Sequence, residues 1–431
     1  MLYSNLTANE KGHLVFAGYD TVELAKKYGT ALYVIDEDKL RENCRIYIDA
    51  MHKYFGADAM PLYASKALCF TEIYRIIAEC GMGTDIVSSG ELYTAVKAGF
   101  SLEKAFFHGN NKTDADIEYA ITNGLGYFVV DNEEELDAIS EIASSHGVMQ
   151  KILLRITPGI DPHTHKAIMT GSVDSKFGSA IETGRAYEMV EMALSRKNVI
   201  LEGFHCHIGS QIFDCEPFCD AADIMLGFVA EVKKRYSFKT AVLNLGGGFG
   251  VRYTENDPQI DIDANIAQVA SHVKKRCEEF SVDMPKILME PGRSIVANAG
   301  ITLYTVGSVK EIGDFKNYVS IDGGMPDNPR YALYKADYTV LNASKMNQEP
   351  NLECSVVGRC CESGDIIQEG VTLVKPDRGD IIAVLTTGAY NYSMASNYNR
   401  IPRAPLVLLS GGCDRIGVKG ETYEDLYRLD V

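Results

Sequence analysis

The sequence predicts a (β/α)8 TIM-like barrel followed by an antiparallel β domain that also takes in the first strands of the chain. Two observations carry this. From about residue 36, short apolar runs, bounded by Gly, Asp, Asn or His, alternate eight times with helical periodicity. After about residue 296 that periodicity gives way to β-rich runs separated by Gly, Asp and Pro turns. Periodicity alone also allows a doubly wound open sheet; the eightfold count and the length of the region favour the barrel.

In chain order, residues 1–35 hold short β-like pieces, Leu14-Val15-Phe16 and Ala31-Leu32-Tyr33-Val34-Ile35. The eight runs are Pro61–Ala64, Gly83–Val87, Ala105–His108, Tyr127–Asp131, Lys151–Ile156, Glu202–His207, Ala241–Leu245 and Lys286–Glu290. Helix starts lie between them. Ser88-Ser89-Gly90-Glu91 resembles a capping sequence, and Asp131-Asn132-Glu133-Glu134-Glu135 loads acid into a first turn, at the positive end of a helix dipole. The later β runs are Ile301–Val306, Asn317–Ile321, Leu352–Val357, Val371–Val374, Asp380–Leu385 and Ala404–Leu409. The expected domains are a barrel over 36–295 and a β domain over 1–35 and 296–431.

A chain of 431 residues with 46% apolar and 23% charged content has ample core material. The formal net charge of -17 leaves no basic excess to neutralise phosphates, so a nucleic-acid partner is excluded. The 11 scattered cysteines read as reduced thiols, and no signal peptide or membrane-length apolar run is visible. A soluble cytoplasmic protein is expected.

In such a barrel the active site lies at the C-terminal ends of the strands. The first strand delivers Lys66, in Tyr63-Ala64-Ser65-Lys66-Ala67. A lysine just past a core strand can form a Schiff base with a carbonyl; read from this stretch alone, it is a surface residue opening a helix. The third delivers His108 and Asn110, the fifth Arg155, and the sixth His205 and His207, then Gly209-Ser210. Gly246-Gly247-Gly248-Phe249-Gly250 follows the seventh, and consecutive glycines let backbone N–H groups approach a phosphate. Glu290-Pro291-Gly292-Arg293 closes the eighth: a carboxylate suited to a ring nitrogen, and a guanidinium suited to an anion. Two histidines on one side of a strand could hold a metal, but Asp161-Pro162-His163-Thr164-His165 completes no zinc set, and no metal is expected. Cys360-Cys361-Glu362-Ser363-Gly364-Asp365, read alone, is a pair of inert core thiols.

Tyr-Ala-Ser-Lys, His-x-His-Ile-Gly-Ser-Gln, Gly-Gly-Gly-Phe-Gly, Glu-Pro-Gly-Arg, Cys-Glu-Ser-Gly-Asp and Gly-Ala-Tyr occur in that order, from about Ala31 to the Glu421–Leu426 tail. Together they resemble the diaminopimelate decarboxylase family, enzymes that use pyridoxal 5'-phosphate on an alanine-racemase-like barrel. The resemblance implies that Lys66 carries the cofactor, His207 stacks on its ring and Glu290 pairs with its ring nitrogen. Ser210, Gly247, Gly248, Pro291, Gly292 and Arg293 would hold the phosphate, and Tyr390 would touch the cofactor. Cys361 would protonate the product, reaching in from the partner subunit of a homodimer with shared sites. Arg293, Arg330, Tyr334, Glu362 and Tyr390 would hold an amino-acid substrate, meso-2,6-diaminopimelate, on its way to L-lysine. Ornithine/lysine, arginine or carboxynorspermidine decarboxylases, a racemase and a non-catalytic cofactor-binding protein are the rivals. The chain departs from the pattern at Tyr331, where Pro is expected, at Cys360, and at Arg403-Ala404-Pro405-Leu406 before the last strand.

Overall fold

The computed structural model describes residues 2–160, 175–313 and 315–431. The chain forms two compact units. One comprises Asn43–Gly250 and Gln259–Gly292; the other comprises Met1–Glu42, Val251–Pro258 and Arg293–Val431.

The first unit is a closed parallel barrel. Its strands are Met60–Ala64, Gly83–Ile86, Ala105–Phe107, Tyr127–Val130, Gln150–Thr157, Val199–His205, Val242–Asn244 and Lys286–Met289. Each pairs in parallel with the next, and the eighth closes on the first through Leu288 opposite Met60 and Met289 opposite Pro61. Leu62, Phe106, Val129, Leu153, Val242 and Leu288 fill the interior, so the barrel is a packed core and its chemistry is confined to the rim. The helices between strands start where short polar side chains satisfy their first free N–H groups. Ser88 Oγ accepts from Glu91 N at 3.2 Å, and Asn132 Oδ1 accepts from Glu135 N at 3.0 Å, the two starts the sequence marks.

The second unit is built on a large sheet in which the thirteen-residue strand Gly300–Ile312 is the hub. It pairs antiparallel with Leu32–Asp36, Ile381–Leu385 and Lys316–Ile321. The N-terminal strand therefore joins the C-terminal sheet, as expected. The sheet is mixed, however: Leu32–Asp36 runs parallel to Leu406–Ser410, and Lys316–Ile321 runs parallel to Leu352–Val357. Long intervening segments permit these parallel neighbours, which hairpins cannot supply. Leu32, Val34, Ile301, Leu303, Ala383, Leu385, Val407 and Leu409 form its core.

Two further features differ from the sequence reading. Thr21–Tyr28 is a helix capped by Asp20, whose Oδ1 accepts from Val22 N at 2.9 Å. Val251–Pro258, assigned by sequence to the barrel, groups with the β unit: Tyr253 O accepts from Thr339 N and Oγ1, and its ring meets Tyr338 edge-on at 5.2 Å. Among the described residues no helix is long and apolar enough to cross a membrane.

Candidate active site

Within the barrel unit the polar side chains collect at the C-terminal rim. Glu290 follows the eighth strand and is buried, its backbone N–H donating to Gly246 O at 2.8 Å. Its Oε1 accepts from Asn244 Nδ2 at 2.6 Å and lies 3.0 Å from His108 Nε2; its Oε2 lies 3.1 Å from His205 Nε2. Groups from the third, sixth and seventh strand ends thus converge on one carboxylate. Burial pushes His205 down to about 4 and His108 below its usual value, while Glu290 pulls both the other way. Burial also opposes the charge on Glu290, yet the two imidazoles override it and hold the group well below the usual carboxylate range. Asp85, at the rim of the second strand, moves the other way: burial and then the Glu290 charge push it well above that range. The two neighbouring carboxyls are pushed in opposite directions, a division that suits acid–base work.

Lys66 lies in the one-turn segment Ser65–Ala67. Its neighbours Ser65 and Ala67 are buried while Lys66 itself is exposed, so accessibility, not desolvation, marks it. Its charge acts on Asp85, Glu91 and His207. Glu91 Oε2 accepts from Ser65 Oγ at 2.7 Å and from Val87 N at 2.8 Å, which fixes the turn that carries the lysine.

His205 and His207 do not share a strand face. The strand ends at His205, and His207 lies beyond it, where Gly247 N donates to its Nδ1 at 3.2 Å. Burial, then the charges of Lys66 and Arg155, push His207 well below its usual value. The Gly247 N–H orients this ring. His108, His205 and Glu290 do bring their ligand atoms within 4.8 Å of one another, a triad the sequence reading did not assemble. The Asp161–His165 stretch lies outside the described residues.

The glycine run is required by space. A Cβ on Gly247 would fall 2.0 Å from Glu290 O, and Gly248, at φ +119°, would place one 2.4 Å from Gly209 O. An accessible amine, a neutral imidazole tied to a glycine run and a deeply buried carboxylate kept anionic together fit a pyridoxal phosphate group. Lys66 would hold its aldehyde carbon and Glu290 its ring nitrogen.

In the β unit, Arg293 and Arg330 are both buried among phenols. Arg293 Nη1 donates to Tyr253 OH at 2.8 Å, and its guanidinium lies 4.8 Å from the Tyr390 ring centre. The Arg330 guanidinium lies 5.5 Å from Tyr390, 5.6 Å from Tyr334 and 6.0 Å from Tyr253. Burial works against the Arg330 charge, but Tyr338, Tyr253 and Tyr390 raise it overall. Its Nε is buried without a hydrogen-bond partner among the described residues. Tyr390 adopts φ +61°, a strained backbone for a tyrosine, of the kind found at functional sites. Two caged cations of this sort suit carboxylates. Cys361 and Glu362 are exposed, in the loop ahead of Ile366–Leu373, where Cys361 N donates to Asn399 Oδ1 at 2.8 Å.

Sequence reasoning missed Asp85, Glu91, Asn244, Tyr253 and Tyr338. Asn244 was signalled as the polar residue closing Val242–Asn244, and Asp85 as a carboxylate inside the buried strand Gly83–Ile86. The tyrosines carried no such mark, because their partners are remote in sequence.

Comparison with known proteins agrees with this geometry. Residues 38–297 match the family described as pyridoxal-dependent decarboxylase, pyridoxal binding domain. The chain is 47% identical over 411 residues to the diaminopimelate decarboxylase of Bacillus methanolicus, covering 95% of each chain. It is 44% identical over 430 residues to that of Bacillus subtilis, covering 100% of this chain and 98% of the relative. Among solved structures, diaminopimelate decarboxylase from M. jannaschii in complex with L-lysine superposes with a TM-score of 0.93 at 36% identity, covering 99% of this chain and 98% of that one. The Helicobacter pylori enzyme with L-lysine gives 0.86 at 32%, covering 95% and 98%. The chain belongs to the diaminopimelate decarboxylases, a family of pyridoxal-dependent enzymes.

Proposed function

We propose that the protein decarboxylates meso-2,6-diaminopimelate to L-lysine and carbon dioxide with pyridoxal 5'-phosphate. The observation that carries this is 44% identity over nearly the full length to a diaminopimelate decarboxylase, in a chain that retains Lys66 at the rim and a buried Glu290 held in its charged form. The relatives solved with L-lysine support the choice of product.

In this reading Lys66 anchors the cofactor and His207 stacks against its ring. Ser210, Gly247, Gly248, Pro291, Gly292 and Arg293 surround the phosphate. Bound there, the cofactor supplies an electron sink for the pair left when the carbon–carboxylate bond breaks. Glu290, ionised and hydrogen-bonded, keeps the ring nitrogen protonated. Carbon dioxide departs, and Cys361 of the partner subunit gives its thiol proton to the reacting carbon, then recovers one from solvent. Arg293, Arg330, Tyr334, Glu362 and Tyr390 hold the substrate, opposite charges at Arg330 and Glu362 meeting the remote carboxylate and ammonium. A substrate lacking that second head leaves both unpaired, which is the basis of selectivity. The reading includes a homodimer with shared sites, working in the cytoplasm.

Borohydride reduction of the holoenzyme followed by peptide mapping tests the core of it. The reduced cofactor is expected on the peptide containing Lys66, and Lys66→Ala should abolish carbon dioxide release from meso-2,6-diaminopimelate. Label on another lysine, or faster turnover of ornithine, would overturn the assignment.

A further inference from the structure

Two segments of the β unit carry groups assigned above to catalysis and substrate binding. The loop Gly358–Asp365 carries Cys361 and Glu362, and the segment Gly323–Arg330 leads into the short helix Arg330–Tyr334. Residues 361–364 are all exposed, so apolar packing does not hold that loop in place.

A single carboxylate laces the two together. Asp365 is 3% exposed. Its Oδ1 accepts from Met325 N at 2.6 Å and its Oδ2 from Cys360 N at 2.7 Å, one bond to each segment. Arg359 N donates to Gly323 O at 3.0 Å, a third tie across the same seam, and Gly358 N donates to Asp365 O at 3.0 Å. The carboxylate fits closely: a Cβ on Gly358 would fall 2.2 Å from its Oδ2, and one on Gly324 would fall 2.5 Å from its Oδ1. From Met325 the tie passes to the arginine within one turn, since Asp327 N and Asn328 N both donate to Gly324 O at 2.9 Å and Arg330 N donates to Asn328 Oδ1 at 3.4 Å.

We infer that Asp365 is a positioning residue that sets the Cys361 loop against the segment presenting Arg330. The inference rests on the roles proposed for those two residues. Met325 N and Cys360 N are both donors, one to each carboxylate oxygen; an amide, with a single oxygen in that place, turns its own NH2 toward one of them. Loss of the clamp releases the thiol loop and the arginine together. Misplacement of a reacting group by about 1 Å costs up to about 100-fold in rate.

Asp365→Asn tests this in the holoenzyme. Gly358→Ala is the second variant, displacing the same carboxylate from outside, and Asp365→Glu is the conservative one. Three quantities are read: kcat and KM for meso-2,6-diaminopimelate, the alkylation rate of Cys361 by iodoacetamide followed by peptide mass spectrometry, and the thermal midpoint. Both disrupting variants should lower kcat by at least about tenfold, raise KM several-fold and change Cys361 alkylation at least about threefold in folded protein, with Asp365→Glu recovering part of each. Unchanged Cys361 alkylation and KM in folded Asp365→Asn and Gly358→Ala would overturn the clamp. Cys361→Ala separates the two levels: full activity in that variant would remove the role proposed for the thiol, while the alkylation rates would still decide whether Asp365 fixes the loop.

Discussion

Glu290→Gln separates the charge of the buried carboxylate from its shape. The amide oxygen can take the Oε1 position, where Asn244 Nδ2 donates at 2.6 Å and His108 Nε2 lies at 3.0 Å. The amide NH2 then faces His205 Nε2, which lies 3.1 Å from the present Oε2. His205 can accept only by moving its proton to Nδ1, a buried atom with no hydrogen-bond partner among the described residues. An unsatisfied buried donor costs about 1–3 kcal/mol, so the variant should fold with a modestly lowered thermal midpoint. The catalytic cost is larger. A full charge about 4 Å from a cationic ring nitrogen contributes about 4 kcal/mol at an effective dielectric constant of about 20. That is about a 1,000-fold loss in kcat. The assay is carbon dioxide release by purified enzyme, with bound cofactor measured by absorbance so that occupancy and rate are read separately. A loss below about tenfold at full occupancy would refute the assignment of Glu290 to the ring nitrogen.

Two further predictions concern buried charges away from the reacting atoms. Lys112 Nζ donates to Glu135 Oε1 at 2.7 Å, Val129 O at 2.9 Å and Gly109 O at 3.0 Å, with side-chain exposures of 1% and 2% for the pair. Lys112→Met strands the carboxylate and should cost about 3–5 kcal/mol in urea unfolding, whereas Lys112→Met with Glu135→Leu should recover most of it; equal losses in the single and double variants would contradict this. Burial pushes Asp327 from 3.8 up to about 7. A carboxyl raised on folding contributes stability that is full below about pH 4 and is lost as pH rises to about 7, roughly 4 kcal/mol in all. Asp327→Asn should therefore raise the thermal midpoint at pH 8 much more than at pH 5, and the same gain at both would show that the group titrates normally.

The barrel was legible because burial on both faces makes its strands continuous apolar runs, and because polar residues or glycines at or just past the run ends form the rim. Lys66, His108, Glu290 and the glycine run were found in this way, and Ser88 and Asn132 marked their helices by local chemistry alone. What escaped is non-local. Nothing near Asn244 indicates that its amide will point at a carboxylate delivered by the next strand, and nothing near Lys112 names Glu135. Thr21–Tyr28 hid because a helix of eight residues offers barely two turns of periodicity, though Asp20 and Gly29 bracket it. His207 was misplaced by one structural step: continuing the strand past His205 put both rings on one face, whereas the strand stops there and the chain turns toward Gly247.

The strand Leu32–Asp36 has consequences for how the protein is made. Its partners, Gly300–Leu303 and Leu406–Leu409, leave the ribosome long after it does, separated by the entire barrel. At about 5–20 residues per second the wait is on the order of tens of seconds, during which the largely apolar strand Leu32–Asp36 has no native neighbour. The barrel unit can close before that edge is covered. A nascent chain interrupted after the barrel would therefore expose Leu32–Asp36 as a sticky end, a natural substrate for chaperones and a seed for aggregation.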